Sequence, residues 1–554
     1  MSDQRIELYL QTEQTANIYF GDIQTPMKAT IIVSNSGGGI FGGTELKIEV
    51  REMKTDRTLA VRQIAVRKIP AQETVRLPVD FSDIRVYGTF TVTICGEGIE
   101  YETMIARIPP ARRRAGKVGV STHLSTARRE TMKIAFGLLS KVGVGWLLDD
   151  VLWDQCNPTA DGFTIPQTHI DYADLAHEMG FKLRYMLDAR TMDRFYGCGR
   201  FPYEGKAKEM FLKYVAEVAR TFRGKAAAYE LISEYDHNAK CLRMLCKDNN
   251  IKYARLQKEA YCSIKKEDPD VLVLHGGTVR KNIPFMKDIL EAGTGDYTDA
   301  LVIHPYPMHL FPVSPLYRSV QTWETMVDWY RAFEALADAY CPGKPLMNTE
   351  SGWSTYKGVN GCTLIQQAAF ELQHYIASMV VPSMELVDYY DFSNDGISET
   401  DYEANLGLLA IRPKEDTDRF PERYLVKPAF GILSVIANEL WAITFERELD
   451  LNQCASCLQF KRDDGKYITA VWSLEGSVGR ISFAKDAFSE NDYAIDLFSN
   501  RLHGKKNGDT VEFSVDDCPL ILCTDRLIDV LDYSIISEMK DYSANAYSAM
   551  ELML

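Results

Sequence analysis

From Gly116 onward the chain keeps one rhythm: a short apolar run rich in Val, Ile and Leu, a polar or acidic end, then a stretch with helical spacing. Eight such runs are readable, at 118–123, 144–148, 181–187, 229–234, 271–275, 300–304, 346–350 and 386–392. Helical periods follow most of them, at 127–141, 206–222, 241–266, 320–340, 364–381 and 427–440. Strands separated by helices pair in parallel, and eight such units over this length match one (β/α)8 TIM barrel. Half of the repeat would fit a doubly wound sheet equally well. All eight, without a glycine-rich phosphate-binding turn, favour the barrel. The expected fold is therefore α/β, with the barrel at 113–441.

The flanks read differently. Residues 1–112 hold short β-branched and aromatic runs, such as Thr30-Ile31-Ile32-Val33 and Phe90-Thr91-Val92-Thr93-Ile94, separated by turn material. This is the pattern of an N-terminal β-sandwich. Short strands return at 442–528 as a smaller C-terminal β-domain. The tail, 529–554, carries Ile, Leu, Met and Tyr with no clear period, which suits docking on the body or on a second copy in a homo-oligomer. Pro109-Pro110 and the run Arg112-Arg113-Arg114 mark the first boundary, with the basic run expected to be a solvated linker. A net charge of -15 argues against a nucleic-acid partner, because polyanions are held by clustered Lys and Arg. The polar start, Met1-Ser2-Asp3-Gln4, and the lack of an apolar run of ~18 residues argue against a signal and a membrane span. Those features suit a cytoplasmic protein, or a secreted one trimmed of its leader. The twelve cysteines are read as reduced. Cys241, Cys246 and Cys262 lie in apolar patterns as small hydrophobes, and Cys454 with Cys457, Cys518 and Cys523 reads as buried thiols rather than a zinc set.

Two runs end on a carboxylate in the same way: Leu346-Met347-Asn348-Thr349-Glu350 and Tyr229-Glu230-Leu231-Ile232-Ser233-Glu234. Barrel enzymes keep their chemistry at such strand ends. Two acids on separate strands are what hydrolysis of a glycosidic bond needs, one to protonate the leaving oxygen and one to attack or to activate water. Strand alternation puts Glu230, Ile232 and Glu234 on one face, with Glu230 deeper as a buried structural acid. His123, Asp149, Asp150, Trp153, Asp188, Arg190, His275 and Asp391 also fall at strand ends and make an acid- and aromatic-rich mouth. His123, His275 and His304 lack local metal-ligand spacing, so neither a metal nor a cofactor is expected.

Thr349-Glu350-Ser351-Gly352-Trp353, His304-Pro305-Tyr306-Pro307, Asp391-Phe392-Ser393-Asn394-Asp395-Gly396, Asn405-Leu406-Gly407-Leu408 and Lys427-Pro428-Ala429 together resemble clan A glycoside hydrolases, nearest the β-xylosidase and α-iduronidase type. The resemblance covers nearly all of residues 1–525. It implies a retaining glycosidase with Glu234 as acid/base and Glu350 as nucleophile, and His304 and Tyr306 facing the nucleophile. It also implies a carbohydrate substrate contacted by His123, Trp153, Ser233, Tyr235, His304, Tyr306, Trp353 and Asp391. On this reading Tyr306 and its neighbours keep Glu350 ionised near neutral pH. The chain departs from the clan at two places. Ser233 stands where an Asn usually binds the sugar 2-hydroxyl, and Leu148, in Trp146-Leu147-Leu148, stands where many members carry an Arg that supports the nucleophile. Glu350 then leans on His304, Tyr306 or another cation, with Arg184 a candidate. The two departures equally suit a non-catalytic carbohydrate-binding relative, and a barrel lyase or metal-dependent hydrolase is a third reading.

Overall fold

The computed structural model describes residues 5–538 except 200, 242, 307–325, 359–360, 413–422, 452–453 and 474–475. The barrel is a parallel sheet built from strands Ala115–Ser121, Val144–Asp150, Lys182–Leu187, Ala228–Leu231, Leu272–His275, Leu301–His304, Leu346–Asn348 and Met384–Tyr389. The eighth strand returns to the first, with Val387 opposite Val118. Residues alternate between two packings, as the pleat requires. Ala228 joins a small interior cluster with Trp146, Leu148, Leu274, Val302, Met347 and Leu386. Tyr229 and Leu231 instead pack outward into the main core between strands and helices.

Backbone pairing is weakest between the fifth and sixth strands. There a two-residue piece, Thr278–Val279, pairs with the sixth strand. His275 helps to bridge the seam: its Nε2 accepts from Val302 N–H at 3.0 Å while Nδ1–H donates to Gly276 O at 2.7 Å. Burial brings its pKa down to about 4, so the ring is neutral and structural. The expectation that it belongs to the mouth is corrected by these two bonds.

The N-terminal part is two facing sheets over a core that includes Ile31, Ile48, Val50, Phe90 and Val92. The C-terminal part has a six-stranded and a four-stranded sheet. Its strand Ala455–Arg462 is buried on both sides, Cys457 facing the domain's own core and Leu458 and Phe460 the core shared with the barrel. Val530–Glu538, within the stretch read as a tail, is a strand paired along Ser477–Ala484 in the four-stranded sheet. Residues 539–554 lie outside the described residues, as do Pro307 of the sixth-strand motif and the 320–325 start of one expected helix.

The basic run is no solvated linker. Arg114 donates to Val144 O at 2.7 Å and lies over Phe181, and Arg113 lies over Trp441 with its guanidinium carbon 3.6 Å from the ring centroid. These planar cations tie the barrel's first strand to its base. Cys241, Cys246 and Cys262 are exposed rather than buried, because the local apolar pattern does not decide which helix face meets the core. Cys457, Cys518 and Cys523 are buried free thiols. No helix among the described residues is long and apolar enough to cross a membrane.

Candidate active site

The fourth strand is regular only to Leu231. Ile232 and Glu234 then take left-handed backbone angles, φ 54° and 51°, uncommon for a β-branched or long side chain and typical of strained functional segments. The kink breaks the alternation expected from the sequence: Ile232 packs into the main core, whereas Glu234 lines a cavity at the open end of the barrel. The bend is held from the fifth strand's loop, where Gly277 O accepts from Glu234 N–H at 3.0 Å and Gly277 N–H donates to Glu230 at 2.9 Å.

Glu350 follows the seventh strand. Its N–H donates to the side chain of Asn348 at 3.1 Å, and the neighbouring Ser351 hydroxyl donates to Asp388 O at 2.6 Å, so the loop is tied to the strand it leaves. Tyr306 donates its hydroxyl to Glu350 at 3.2 Å. His304, fully buried, lies among three carboxylates. Its Nδ1 is 3.0 Å from Glu234 and 3.5 Å from Glu350, and its Nε2 is 3.5 Å from Glu230 and 3.0 Å from the Thr349 hydroxyl. Beneath the ring, Arg184 approaches Glu230 to 3.4 Å and donates to Thr349 O at 3.0 Å.

The charges order themselves by depth. Burial alone would raise Glu230, but Arg184 and the hydrogen bond from His304 hold it well below the usual carboxylate range. Burial opposes charge on His304, yet Glu350, Glu230 and Glu234 hold it well above an ordinary histidine. Glu234 is brought down against its burial by His304. Burial pushes Glu350 up to about 7, with Glu234 and Glu230 adding to the push against His304 and Arg184. The outer two carboxyls therefore behave as a pair that keeps one proton up to neutral pH. This corrects the expectation that Glu350 is ionised on its own; Tyr306 and His304 do not offset the loss of water and the neighbouring anion.

Arg184 faces Leu148 across adjacent strands, and its charge acts on Glu350. The two are register partners, so this cation sits one strand over from Leu148 at the same height. Among the other expected contacts, His123 and Ser233 line the cavity of about 490 Å³ together with Asp150, Arg190 and Tyr390. Ser233 is buried with its hydroxyl unpartnered. His123 is exposed at the cavity mouth; partial loss of water opposes its charge, but Asp150, Asp391, Asp149 and Asp395 raise it to about 9. Asp149 also accepts from the backbone N–H of Leu124 at 2.7 Å, shaping the first loop. Asp188 is spent on Arg190 at 2.8 Å.

Five expected contacts are not in the cavity wall, the fully buried His304 among them. Trp153 is buried against Phe163 and Tyr214, and Trp353 against Phe370 and His374. Tyr235 stacks on Tyr253 and accepts from the Tyr203 hydroxyl at 2.7 Å. Asp391 is buried behind the wall, where it acts on His123 by charge. Proximity to a strand end does not fix orientation: an apolar ring beside the mouth is drawn into the helix-side core. Gly277, Tyr390, His237, Tyr402 and Glu403 were missed; the only local signal was the pair Gly276-Gly277 directly after a strand. A Cβ on Gly277 would stand 2.1 Å from His304 Nε2, so a glycine is needed for the ring to seat.

One atom each of Glu234, His304 and Glu350 lie within 4.8 Å of one another, close enough to grip a cation.

No family model and no curated protein sequence matches the chain. Among solved structures, it is similar to a family 39 glycoside hydrolase from the gut symbiont Bacteroides cellulosilyticus WH2, with TM-score 0.74, 19% identity, and coverage of 94% of this chain and 100% of that one. Weaker likenesses, to the catalytic domain of GH30 xylanase C from Talaromyces cellulolyticus (TM-score 0.49, 11% identity, 76% of this chain and 99% of that one) and to Bacteroides uniformis beta-glucuronidase (TM-score 0.40, 12% identity, 95% and 60%), carry no argument. At 19% identity the first likeness establishes a common fold, a barrel with flanking β-domains.

Proposed function

We propose that the chain is a retaining glycoside hydrolase acting on a carbohydrate, with Glu350 as nucleophile and Glu234 as acid/base. The observation that carries this reading is the closeness of the two carboxylates: one oxygen of each lies within 4.8 Å of the other's, and both line one open cavity. Retaining enzymes hold the pair ~5–5.5 Å apart, and inverting ones leave ~6.5–9.5 Å for a water. Tyr306 supports the assignment of Glu350, because a phenol donating to that oxygen stabilises the anion that must attack. Glu234, the more exposed of the two, has the access to the leaving group and to water that an acid/base requires.

In the first half-reaction Glu350 attacks the anomeric carbon, the glycosidic C–O bond breaks, and the leaving oxygen takes the proton of Glu234. In the second, Glu234 takes a proton from water, the water oxygen attacks the same carbon, and Glu350 leaves as a carboxylate. The test is a panel of 4-nitrophenyl α-L-arabinosides, β-xylosides, β-glucosides and β-galactosides. Turnover of at least one is expected, and Glu350→Gln should lose it while keeping the fold. Wild-type rates in Glu350→Gln, or glycan binding with no cleavage across the panel, would contradict the proposal.

A further inference from the structure

Resting on that mechanism, we infer that His304 is a positioning residue whose single Nδ1–H serves both catalytic carboxylates in turn, following the negative charge as it passes from Glu350 to Glu234. The geometry carries this. Nδ1 is hydrogen-bonded to Glu234 at 3.0 Å and stands at ion-pair distance, 3.5 Å, from Glu350, so one charged nitrogen lies beside both carboxylates. The other nitrogen is held by Glu230 and by the Thr349 hydroxyl, which fixes the ring's rotation. The ring is fully buried and seated against Gly277, where even a methyl group would collide with it.

The charge states of the double displacement suit this arrangement. At rest the proton shared by the pair favours Glu350; for attack it passes to Glu234 and leaves Glu350 the anion. In the glycosyl-enzyme Glu350 is a neutral ester and Glu234 is the anion. One of the two is negative at each stage, and one fixed cationic donor stands between them. A donor facing Glu350 alone would favour the attacking anion and oppose ester formation; a shared one gives back on Glu234 what it gives up on Glu350.

The groups around the ring keep it charged through both stages. Glu230 remains an anion throughout, itself held by Arg184 from the third strand. Burial pushes Asp388 from the eighth strand well above the usual carboxylate range, with Arg184 and His304 opposing that push by charge. His275 from the fifth strand is neutral and adds no competing positive charge. Tyr306, on the same loop, donates to Glu350 and takes no proton from the ring.

Two measurements test the inference. Ring-15N histidine NMR at pH 7 would compare wild type, Glu234→Gln and Glu350→Gln, with His304 assigned by its loss in His304→Gln. A doubly protonated ring whose Nδ1 proton shifts in both carboxylate variants is expected; a neutral ring, or a shift in only one of them, overturns the inference. The second compares 2,4-dinitrophenyl glycosides, with which the second half-reaction limits turnover, against 4-nitrophenyl glycosides, with which the first does. His304→Gln should slow both by comparable factors, on the order of 10²-fold. Should that variant not fold, Gly277→Ala displaces the ring instead and should slow both likewise. A loss confined to one half-reaction overturns the shared donor and leaves the hydrolase standing. A wild type inactive on every glycoside overturns the hydrolase itself.

Discussion

Glu230 and Glu234 leave the same strand and meet the same imidazole, yet one turn of irregular backbone gives them opposite work. Glu230 is fully buried, with Arg184, His304 and the Gly277 N–H all directed at it. Glu234 lies past the left-handed kink, partly exposed, with His304 on one side and the cavity on the other. The inner acid is a permanent anion around which the cations are organised. The outer acid is free to lose and regain a proton. Depth along the barrel axis, more than residue type, separates scaffold from chemistry.

Substitution at each acid should split stability from activity. Glu234→Gln is expected to lower turnover by about 10²–10⁴-fold while shifting unfolding free energy by less than ~1 kcal/mol. Glu230→Gln leaves Arg184 and His304 without their buried counter-charge and should cost roughly 3–5 kcal/mol in a denaturant melt. Equal stability losses in the two variants would erase the distinction.

Glu350 provides a pH-dependent version of the same contrast. Its folded pKa of about 7 stands above the ~4.3 of an unfolded Glu. Between those values the folded state holds the extra proton, so the group's contribution to stability falls as pH rises from about 4.3 to 7. Glu230 is depressed instead; its contribution is present above ~4.3 and is lost as pH falls below that. Glu350→Gln should therefore gain on wild type by about 1–3 kcal/mol between pH 5 and pH 8. A difference that stays flat with pH, followed by urea melts, would contradict the burial-driven shift.

Smaller effects mark the boundary of the site. Gly277→Ala pushes on His304 without changing any charge, and a displacement of this kind can cost about 10²-fold in turnover. Tyr235→Phe removes only the bond from Tyr203, so a loss of about 1 kcal/mol in stability with an unchanged KM is expected. A raised KM would return Tyr235 to the sugar.

The sequence made the barrel legible because its periods repeat: each expected strand in the 118–392 stretch overlaps an observed one. The motif residues Glu350, His304 and Tyr306 meet, and Arg184 reaches Glu230 and Thr349 behind them. Orientation was harder to read. Trp153, Trp353 and Tyr235 sit beside strand ends but turn to the helix side, since apolar rings gain more from the core than from a wet mouth. The kink at Ile232 was invisible because nothing in Leu231-Ile232-Ser233 announces left-handed backbone. Gly277 was missed for a related reason: its value lies in a contact with a ring from the neighbouring strand, which local sequence does not encode.

The central claim is that Glu234 and Glu350 work on one sugar bond by double displacement. Proton NMR of the first-formed product, recorded before mutarotation, tests it most directly. Double displacement gives an anomeric proton with the configuration of the substrate; the opposite anomer would rule it out.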